Sequence, residues 1–178
     1  MNAREMTDLA LLGISQQGPV PITCIIDALQ SLMPELWRPT ISVIEGAIRR
    51  NLEARKVSIV KTKSAHDALI LTKEGEDELE SLLKSDAGDL GSTTSYVAEA
   101  LQFCFLDTAN PNTTHFVLSR LEDRAQRRLS EFVGRSQRCP NEGRYTRLWI
   151  GLEKRRLEGI SRMMILLNRD CSVAENRA

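Results

Sequence analysis

A block of basic residues in the first half of the chain has the composition of a surface that neutralises phosphate. Between Arg38 and His66, seven lysines and arginines stand against two acids, so the local net charge is +5. The bases are Arg38, Arg49, Arg50, Arg55, Lys56, Lys61 and Lys63. Each phosphate that such a side chain neutralises releases counterions, which favours binding to DNA. An anionic partner is one interpretation of the block, and a merely solvated basic face is the other.

The rest of the charge distribution limits what kind of anionic partner this is. The 24 basic and 24 acidic residues of the whole chain give a formal net charge of +0. Directly after the basic block, residues 67 to 89 contain eight acids and two lysines. A neutral chain with adjacent basic and acidic blocks argues against a protein that coats nucleic acid indiscriminately. It is compatible with one face that binds an anion and another that is solvated.

No arrangement of residues predicts catalysis, a metal site or a bound cofactor. The chain contains no Gly-x-Ser-x-Gly, phosphate-loop or His-Glu-x-x-His motif. Its two histidines, His66 and His115, are distant in sequence from the cysteines, which are Cys24, Cys104, Cys139 and Cys171. No Cys-x-x-Cys pair is present, so we expect free and mostly buried thiols in a reducing compartment. We therefore predict a protein that is not an enzyme.

The hydropathy pattern predicts a cytoplasmic protein with no membrane partner. A composition of 42% hydrophobic and 27% charged residues is ordinary for a globular protein. No apolar run approaches the roughly 18 residues that a membrane span needs. The first residues, Met1 to Glu5, lack the long apolar core of a signal peptide.

The first 84 residues show helix and hairpin patterns in alternation. Helices are predicted over residues 2–16, 21–32, 39–55 and 72–84, and strands over 57–61 and 68–71. Asn2 and Glu5 have the spacing of a capping box, and Thr72 can cap the fourth helix. The third helix should bury Val43 or Ile44, Ala47, Ile48 and Leu52, and expose Ser42, Glu45, Arg49, Arg50 and Glu53. The polar residues 85–94 predict a boundary between a domain of residues 1–85 and one of residues 95–178.

The second half of the chain is predicted to be helical and to self-associate. Helices are expected over about 95–107, 113–137 and 145–169. The last one repeats apolar residues at near-heptad spacing, namely Tyr145, Trp149, Leu152, Ile160, Met163 and Leu167. A helix of this length cannot bury its stripe against a small domain alone, so we expect a homodimer with these residues in its interface.

Several short motifs resemble one protein family when they are taken in order. They are Leu9–Ile14, Gln17–Pro19, Glu35–Thr40, the pair Arg49 and Arg50, and Leu71–Gly75. Their order and spacing over residues 5 to 83 resemble the PadR family of winged-helix transcriptional regulators. More loosely, Leu101–Asp107 and the helices after it resemble the C-terminal region of the larger PadR subfamily. The resemblance implies a mainly α fold, with an N-terminal winged helix-turn-helix and a helical C-terminal dimerisation domain.

The same resemblance implies a set of DNA contacts. The third helix would enter the major groove and the hairpin would form the wing. The candidate DNA-binding residues are Thr40, Ser42, Arg49, Arg50, Lys61, Lys63 and His66. For Thr40, a phosphate contact and plain N-capping weigh equally, whereas contact is favoured for Ser42. A homodimer would place two such helices on an inverted repeat of double-stranded DNA.

Three departures from the family pattern leave alternatives open. Glu45 stands where relatives usually carry an aromatic residue, Asn51 looks like an extra residue, and the wing of residues 61–68 is less basic and lacks an aromatic. A winged-helix interaction or scaffold protein that has lost sequence-specific DNA binding is therefore the alternative function. Some PadR relatives bind flat aromatic effectors beside an interface tryptophan, so Trp149 is either such a sensor residue or, more often at this spacing, plain interface core.

Overall fold

The computed structural model describes residues 1–33, 35–61, 67–138 and 143–175, and within them the chain is mainly helical, as predicted. The α-helices are α1 (Ala3–Ser15), α2 (Ile22–Leu32), α3 (Ile41–Glu53), α4 (Lys73–Lys84), α5 (Thr93–Cys104), α6 (Pro111–Ser136) and α7 (Arg144–Glu175). The strands are β1 (Val20–Pro21), β2 (Val57–Lys61) and β3 (Asp67–Leu71). Short 3-10 turns occupy Glu35–Trp37 and Leu106–Thr108. The predicted helices and the two predicted strands are confirmed to within three residues, except at the end of α7.

Helix α1 is the centre of the N-terminal core. The predicted capping box is present, because Glu5 N–H donates to Asn2 Oδ1 and Asn2 N–H donates to Glu5 Oε2. The helix packs against α2, α3, α4 and α5. Leu9, Leu11 and Leu12 are fully buried, so apolar residues cover more than one face of this helix. Such all-round burial is what a central core helix requires.

The small sheet completes a winged helix-turn-helix. Its strand order is β1-β3-β2, and both pairs are antiparallel. β2 and β3 pair in the register Val57 to Leu71 through Lys61 to Asp67, which is the predicted hairpin. β1 was not predicted, because two residues are too few to show an alternating pattern. The order α1, β1, α2, α3, β2, β3 is that of a winged helix, and the predicted fold class is confirmed for this part of the chain.

The chain divides into two compact units, Met1–Thr113 and Thr114–Ala178, whereas the sequence predicts a boundary at residues 85–94. Helix α5 belongs to the first unit because it packs against α1. A side-chain Cβ at Gly13 would stand 2.5 Å from the ring of Phe105, so the glycine allows this close packing. The buried Gln102 side chain donates to the carbonyl of Ser85 at 2.9 Å. The polar break is therefore a connection within one unit.

The second unit consists of most of α6 together with α7. α7 extends to Glu175, beyond the predicted end near residue 169. Asn168 Nδ2 of α7 donates to Glu122 Oε2 of α6 at 2.8 Å. Buried side chains on α7 recur at helical spacing as Leu157, Ser161 and Met164. Within the part of the chain that the structure describes, no helix is both long and apolar enough to cross a membrane.

Candidate nucleic-acid interface

Helix α3 has one buried face and one exposed polar face. Its buried residues are Ile44, Ala47, Ile48 and Asn51. Ser42, Glu45, Arg49 and Glu53 are exposed, as the helical periodicity predicts. Of the two candidates for the inward position, Ile44 is buried and Val43 is 47% exposed. The exposed face carries one arginine and two glutamates, so it differs from a purely phosphate-binding surface.

The start of α3 presents two hydroxyl groups to solvent. Thr40 is the N-cap residue, but its side chain makes no capping hydrogen bond to the helix. Its Oγ1 instead lies 3.0 Å from Ser42 Oγ. Both residues are exposed at the positive end of the helix dipole. Of the two roles considered for Thr40, side-chain capping is thus not the one that the structure adopts.

Arg50 differs from the prediction that it points outward. Its guanidinium Nη2 lies 3.0 Å from Asp8 Oδ1 of α1, and its side chain is only one-third exposed. Asn51 Nδ2 donates to the same carboxylate oxygen at 2.9 Å. Asp8 therefore holds α3 against α1 through two adjacent residues. Arg50 thus forms an ion pair with Asp8, because its side chain lies at the border between the two helix faces. Its predicted contact with DNA stays a prediction.

Asp8 was missed by the sequence analysis, and it also explains the extra residue Asn51. Asn51 is buried, and its side chain donates both to Asp8 and to the carbonyl of Ala47. A buried amide needs such partners, because an unsatisfied polar group in the core is costly. The signal that could have identified Asp8 is an acid within an otherwise apolar helix segment. Arg4, one turn earlier, approaches it only at 3.9 Å from an exposed position.

The remaining bases of the basic block fall into two groups. Lys56 is occupied, because its Nζ lies 2.9 Å from Glu78 Oε1 of α4. The other group is exposed, and within the described ranges no ion pair engages any of its members, which are Arg38, Arg49, Arg55 and Lys61. Lys61 lies at the end of β2, opposite Asp67. The exposed positive charge is therefore smaller than the local net charge of +5 indicates.

Two of the predicted DNA-binding residues cannot be placed. Lys63 and His66 belong to residues 62–66, which lie outside the described residues. Their predicted contact with phosphate stays a prediction. In the hairpin, β2 ends at Lys61 and β3 begins at Asp67.

The motif Leu71–Gly75 fixes the wing and α4 to the end of α3. Thr72 caps α4 by accepting from Gly75 N–H at 3.1 Å, and its hydroxyl donates to the carbonyl of Arg55 at 2.6 Å. A Cβ at Gly75 would overlap the backbone carbonyl of Lys56, so no larger residue fits without a backbone shift. The motif thus connects the end of α3, the hairpin and the start of α4. This contact gives a physical reason for a threonine and a glycine at that spacing.

Helix α3 ends in a Schellman motif that contains an arginine. Arg55 has a φ of 57°, in the left-handed region that glycine usually occupies at this position. Lys56 N–H donates to the carbonyl of Asn51 at 2.8 Å, and Arg55 N–H donates to that of Leu52 at 3.0 Å. The motif turns the chain directly from α3 into β2. The left-handed residue costs about 1 kcal/mol relative to glycine.

Helix α7 carries an apolar stripe that is exposed in the single chain. Of the predicted interface residues, Tyr145, Trp149, Leu152 and Met163 are exposed, and Ile160 and Leu167 are half-buried. Leu148 and Leu166 add two further exposed apolar side chains to it. Trp149 is 66% exposed, so it is not part of the core of this chain. The buried Leu157 and Met164 lie on another face of the same helix.

Neither a metal site nor a buried thiol is found among the described residues. No group of three His, Cys, Asp or Glu side chains there could hold a metal ion. Cys24 and Cys104 are exposed and Cys171 is half-buried, which corrects the expectation of mostly buried thiols. Cys139 lies outside the described residues.

Comparison with known proteins finds similar folds but no close relative. No protein-family model matches the chain, and no curated protein sequence matches it significantly. Among solved structures, Bacillus subtilis PadR in complex with p-coumaric acid is 13% identical and covers 97% of this chain and 98% of its own, with a TM-score of 0.44. The same protein in complex with operator DNA is 13% identical over 92% of this chain and 98% of its own, with a TM-score of 0.42. A PadR-like transcriptional regulator from Bacillus cereus is 10% identical over 97% and 99%, with a TM-score of 0.39.

The three structures above are thus PadR and a PadR-like regulator. At these identities and TM-scores the likeness carries no argument about function, so the function has to follow from the residues of this chain.

Proposed function

We propose that this protein is a PadR-like, DNA-binding transcriptional regulator that acts as a cytoplasmic homodimer on an inverted-repeat operator. The observation that carries the proposal is the exposed face of α3, with Ser42 and Arg49 on a helix held in place by Asp8. A winged helix places such a face in the major groove. The hydroxyls at its start are available for phosphate, and Arg49 is available for a guanine edge.

The homodimer is proposed from the uncovered stripe on α7. This helix has 32 residues, which corresponds to about 48 Å at 1.5 Å per residue. The exposed apolar side chains form two groups along one side of the helix, separated by Arg156, and apolar patches of this kind mark association surfaces. A second copy of α7 offers a matching apolar face, because a two-fold interface is self-complementary. Two winged helices related in this way would read two half-sites.

DNA binding is tested with purified protein and DNA that flanks its own gene, in a mobility-shift or anisotropy titration over a salt series. We expect specific binding that weakens as salt increases. Arg49→Ala should cost about 1 to 3 kcal/mol at selected base pairs, whereas Lys63→Ala should weaken all sequences and lower the salt slope by about one. Arg50→Ala is compared with Arg49→Ala. Because Arg50 forms an ion pair with Asp8, its substitution should lower the stability of the protein and leave its preference among base pairs unchanged.

The alternative is a winged-helix interaction or scaffold protein that has lost specific DNA binding. It is supported by Glu45 and Glu53 on the exposed face and by the ion pairs that occupy Arg50 and Lys56. Glu45→Tyr would separate the two functions, because removing the acid should raise general DNA affinity if the helix enters a groove. A wild-type protein that binds no DNA at about 50 mM salt would leave the scaffold as the better account.

An aromatic effector is a narrower proposal that rests on Trp149. The side chain is exposed on α7 beside Tyr145 and Leu152, where a flat ligand could stack in a dimer. Titration of an aromatic carboxylate into a Trp37→Phe variant, followed by the emission of Trp149, tests it. Saturable quenching supports a ligand site, whereas emission that does not change means that Trp149 is interface alone.

A further inference from the structure

Gly46 is half-buried and lies on the outer side of α3, among exposed residues. Ser42 is one turn before it, and Arg49 is one turn after it on the same side. Glu45 and Glu53 belong to this face as well. The centre of the proposed DNA-binding surface is therefore a position without a side chain.

The fold itself gives no steric reason for this glycine. A Cβ at Gly46 would meet only Arg50 Nη1, at an ordinary contact distance of 3.6 Å. Gly13 and Gly75 differ, because a Cβ at either would overlap a ring or a backbone carbonyl. Glycine is less favourable than alanine inside a helix. Gly46 thus lowers the stability of α3 without serving its packing within the described residues.

The charges around Gly46 indicate what this face approaches. Two glutamates flank Arg49, so the face is not suited to a row of phosphates. Base edges in the major groove offer hydrogen-bond acceptors for arginine and donors for glutamate. Guanine accepts from arginine, and the cytosine amine donates to glutamate. Such contacts require that the helix lie deep in the groove. A groove of about 12 Å barely admits a helix of about 10 to 12 Å with its side chains.

We propose that Gly46 is the point of closest approach between the backbone of α3 and the floor of the DNA major groove. The missing side chain lets the helix lie deeper, which brings Glu45 and Arg49 within reach of base edges. Gly46 is therefore a positioning residue for DNA recognition, and the inference rests on the proposed function. The inference predicts that replacing Gly46 with alanine stabilises the protein and weakens its binding to DNA. A residue that is important only for packing would not give this combination.

The test compares Gly46→Ala and Gly46→Leu with Gly134→Ala, a matched control in α6 where a Cβ would meet nothing within 4 Å. Each full-length variant is measured for its melting temperature and for its Kd on the same DNA fragment. Gly46→Ala should raise Tm by about 3 °C, because alanine favours the helix. It should also raise Kd about tenfold, and Gly46→Leu should raise it further. Gly134→Ala should leave Kd unchanged.

The outcomes separate this inference from the proposed function. If the wild type and both Gly46 variants bind DNA with the same Kd, the inference is wrong and the regulator remains. If Gly46→Ala lowers Tm together with affinity, the fold needs the glycine and the inference is also wrong. If the wild type binds no DNA, the proposed function fails and this inference fails with it. Weaker binding with an unchanged or higher Tm supports it.

Discussion

The two compact units of this chain differ in how completely they bury their apolar residues. In Met1–Thr113, α1 is covered by α2, α3, α4 and α5, and residues such as Leu11 are fully buried. In Thr114–Ala178, α7 leaves a run of large apolar side chains exposed, including Trp149 and Leu152. The first unit has the core of an independent domain, and the second resembles half of one.

If the protein is the proposed dimeric DNA-binding regulator, its two binding surfaces differ in how well water covers them. The exposed face of α3 is polar apart from the flanking Ile41 and Val43, so solvent can cover it until a charged ligand binds. The stripe on α7 is apolar, so its exposure to water costs free energy at all times. A partner on α7 would therefore stay bound permanently, whereas a partner on α3 would bind transiently.

The largest expected effect tests whether the first unit is as tightly packed as its burial indicates. Gly75→Ala should destabilise it by more than about 3 kcal/mol, because the new Cβ overlaps the carbonyl of Lys56. Chemical denaturation followed by far-UV circular dichroism measures the change. Gly91→Ala is the matched control, because a Cβ there meets nothing within 4 Å. Equal stability of the two variants would mean that the backbone near Lys56 can shift to accommodate the new Cβ.

The second prediction tests the incompleteness of the second unit. If α7 forms a homodimer, Trp149→Ala should cost about 3 kcal/mol of dimer stability. Sedimentation over a concentration series measures the dissociation constant. Ile165→Ala is the control, because this side chain is also exposed on α7 but lies away from the stripe. A wild-type protein that sediments as a monomer at micromolar concentration would contradict the proposed interface.

The third prediction concerns the tie between α1 and α3. Asp8→Ala should destabilise the first unit by about 2 kcal/mol, because it leaves the half-buried Arg50 and the buried Asn51 without their shared acceptor. Arg4→Ala removes the exposed and longer pair to the same carboxylate, so it should cost much less. Thermal unfolding compares the two. Similar losses from both variants would mean that Asp8 contributes mainly through its pair with Arg4 and not through Arg50 and Asn51.

The fold of the first unit was largely predictable because its signals are local. The capping box of Asn2 and Glu5, the N-cap at Thr72 and the alternation in β2 each depend on a few neighbouring residues. β1 was missed because it exists only through its pairing with β3. The boundary predicted at residues 85–94 differs from the division after Thr113, because the polar break gives no information about the packing of Phe105 against Gly13.

The candidate site was less predictable, because its residues are selected by distant contacts. A helical pattern assigned Arg49 and Arg50 alike to the outer face, but Asp8, 42 positions away from Arg50, sets them apart. The pattern also could not show that Lys56 pairs with Glu78. On α7 the sequence identified the stripe correctly as apolar. The pattern does not show whether a second chain covers this stripe, because that depends on the shape and chemistry of the partner's surface.

The smallest expected effect concerns pH and the first unit alone. The pKa of Glu80 is lowered to about 2, because its carboxylate accepts hydrogen bonds from Lys84 and also from Asn110 and Thr113. Lys84 Nζ lies 2.6 Å and Thr113 Oγ1 2.8 Å from Glu80 Oε1. A lowered pKa means that the charged form is stabilised by folding. Its contribution is therefore present above the ordinary value of 4.5 and is lost as the pH falls towards 2.

Glu80→Gln should accordingly lower Tm at pH 7, and the difference from the wild type should shrink as the pH falls from about 4.5 towards 2. The effect should be small, because the side chain is partly exposed and solvent screens the interaction. Thermal melts of both proteins across this range measure it. Glu74→Gln controls for the loss of one exposed negative charge on the same helix. A Tm difference that stays constant down to pH 2 would mean that Glu80 acts through packing, because protonation would then leave its contribution unchanged.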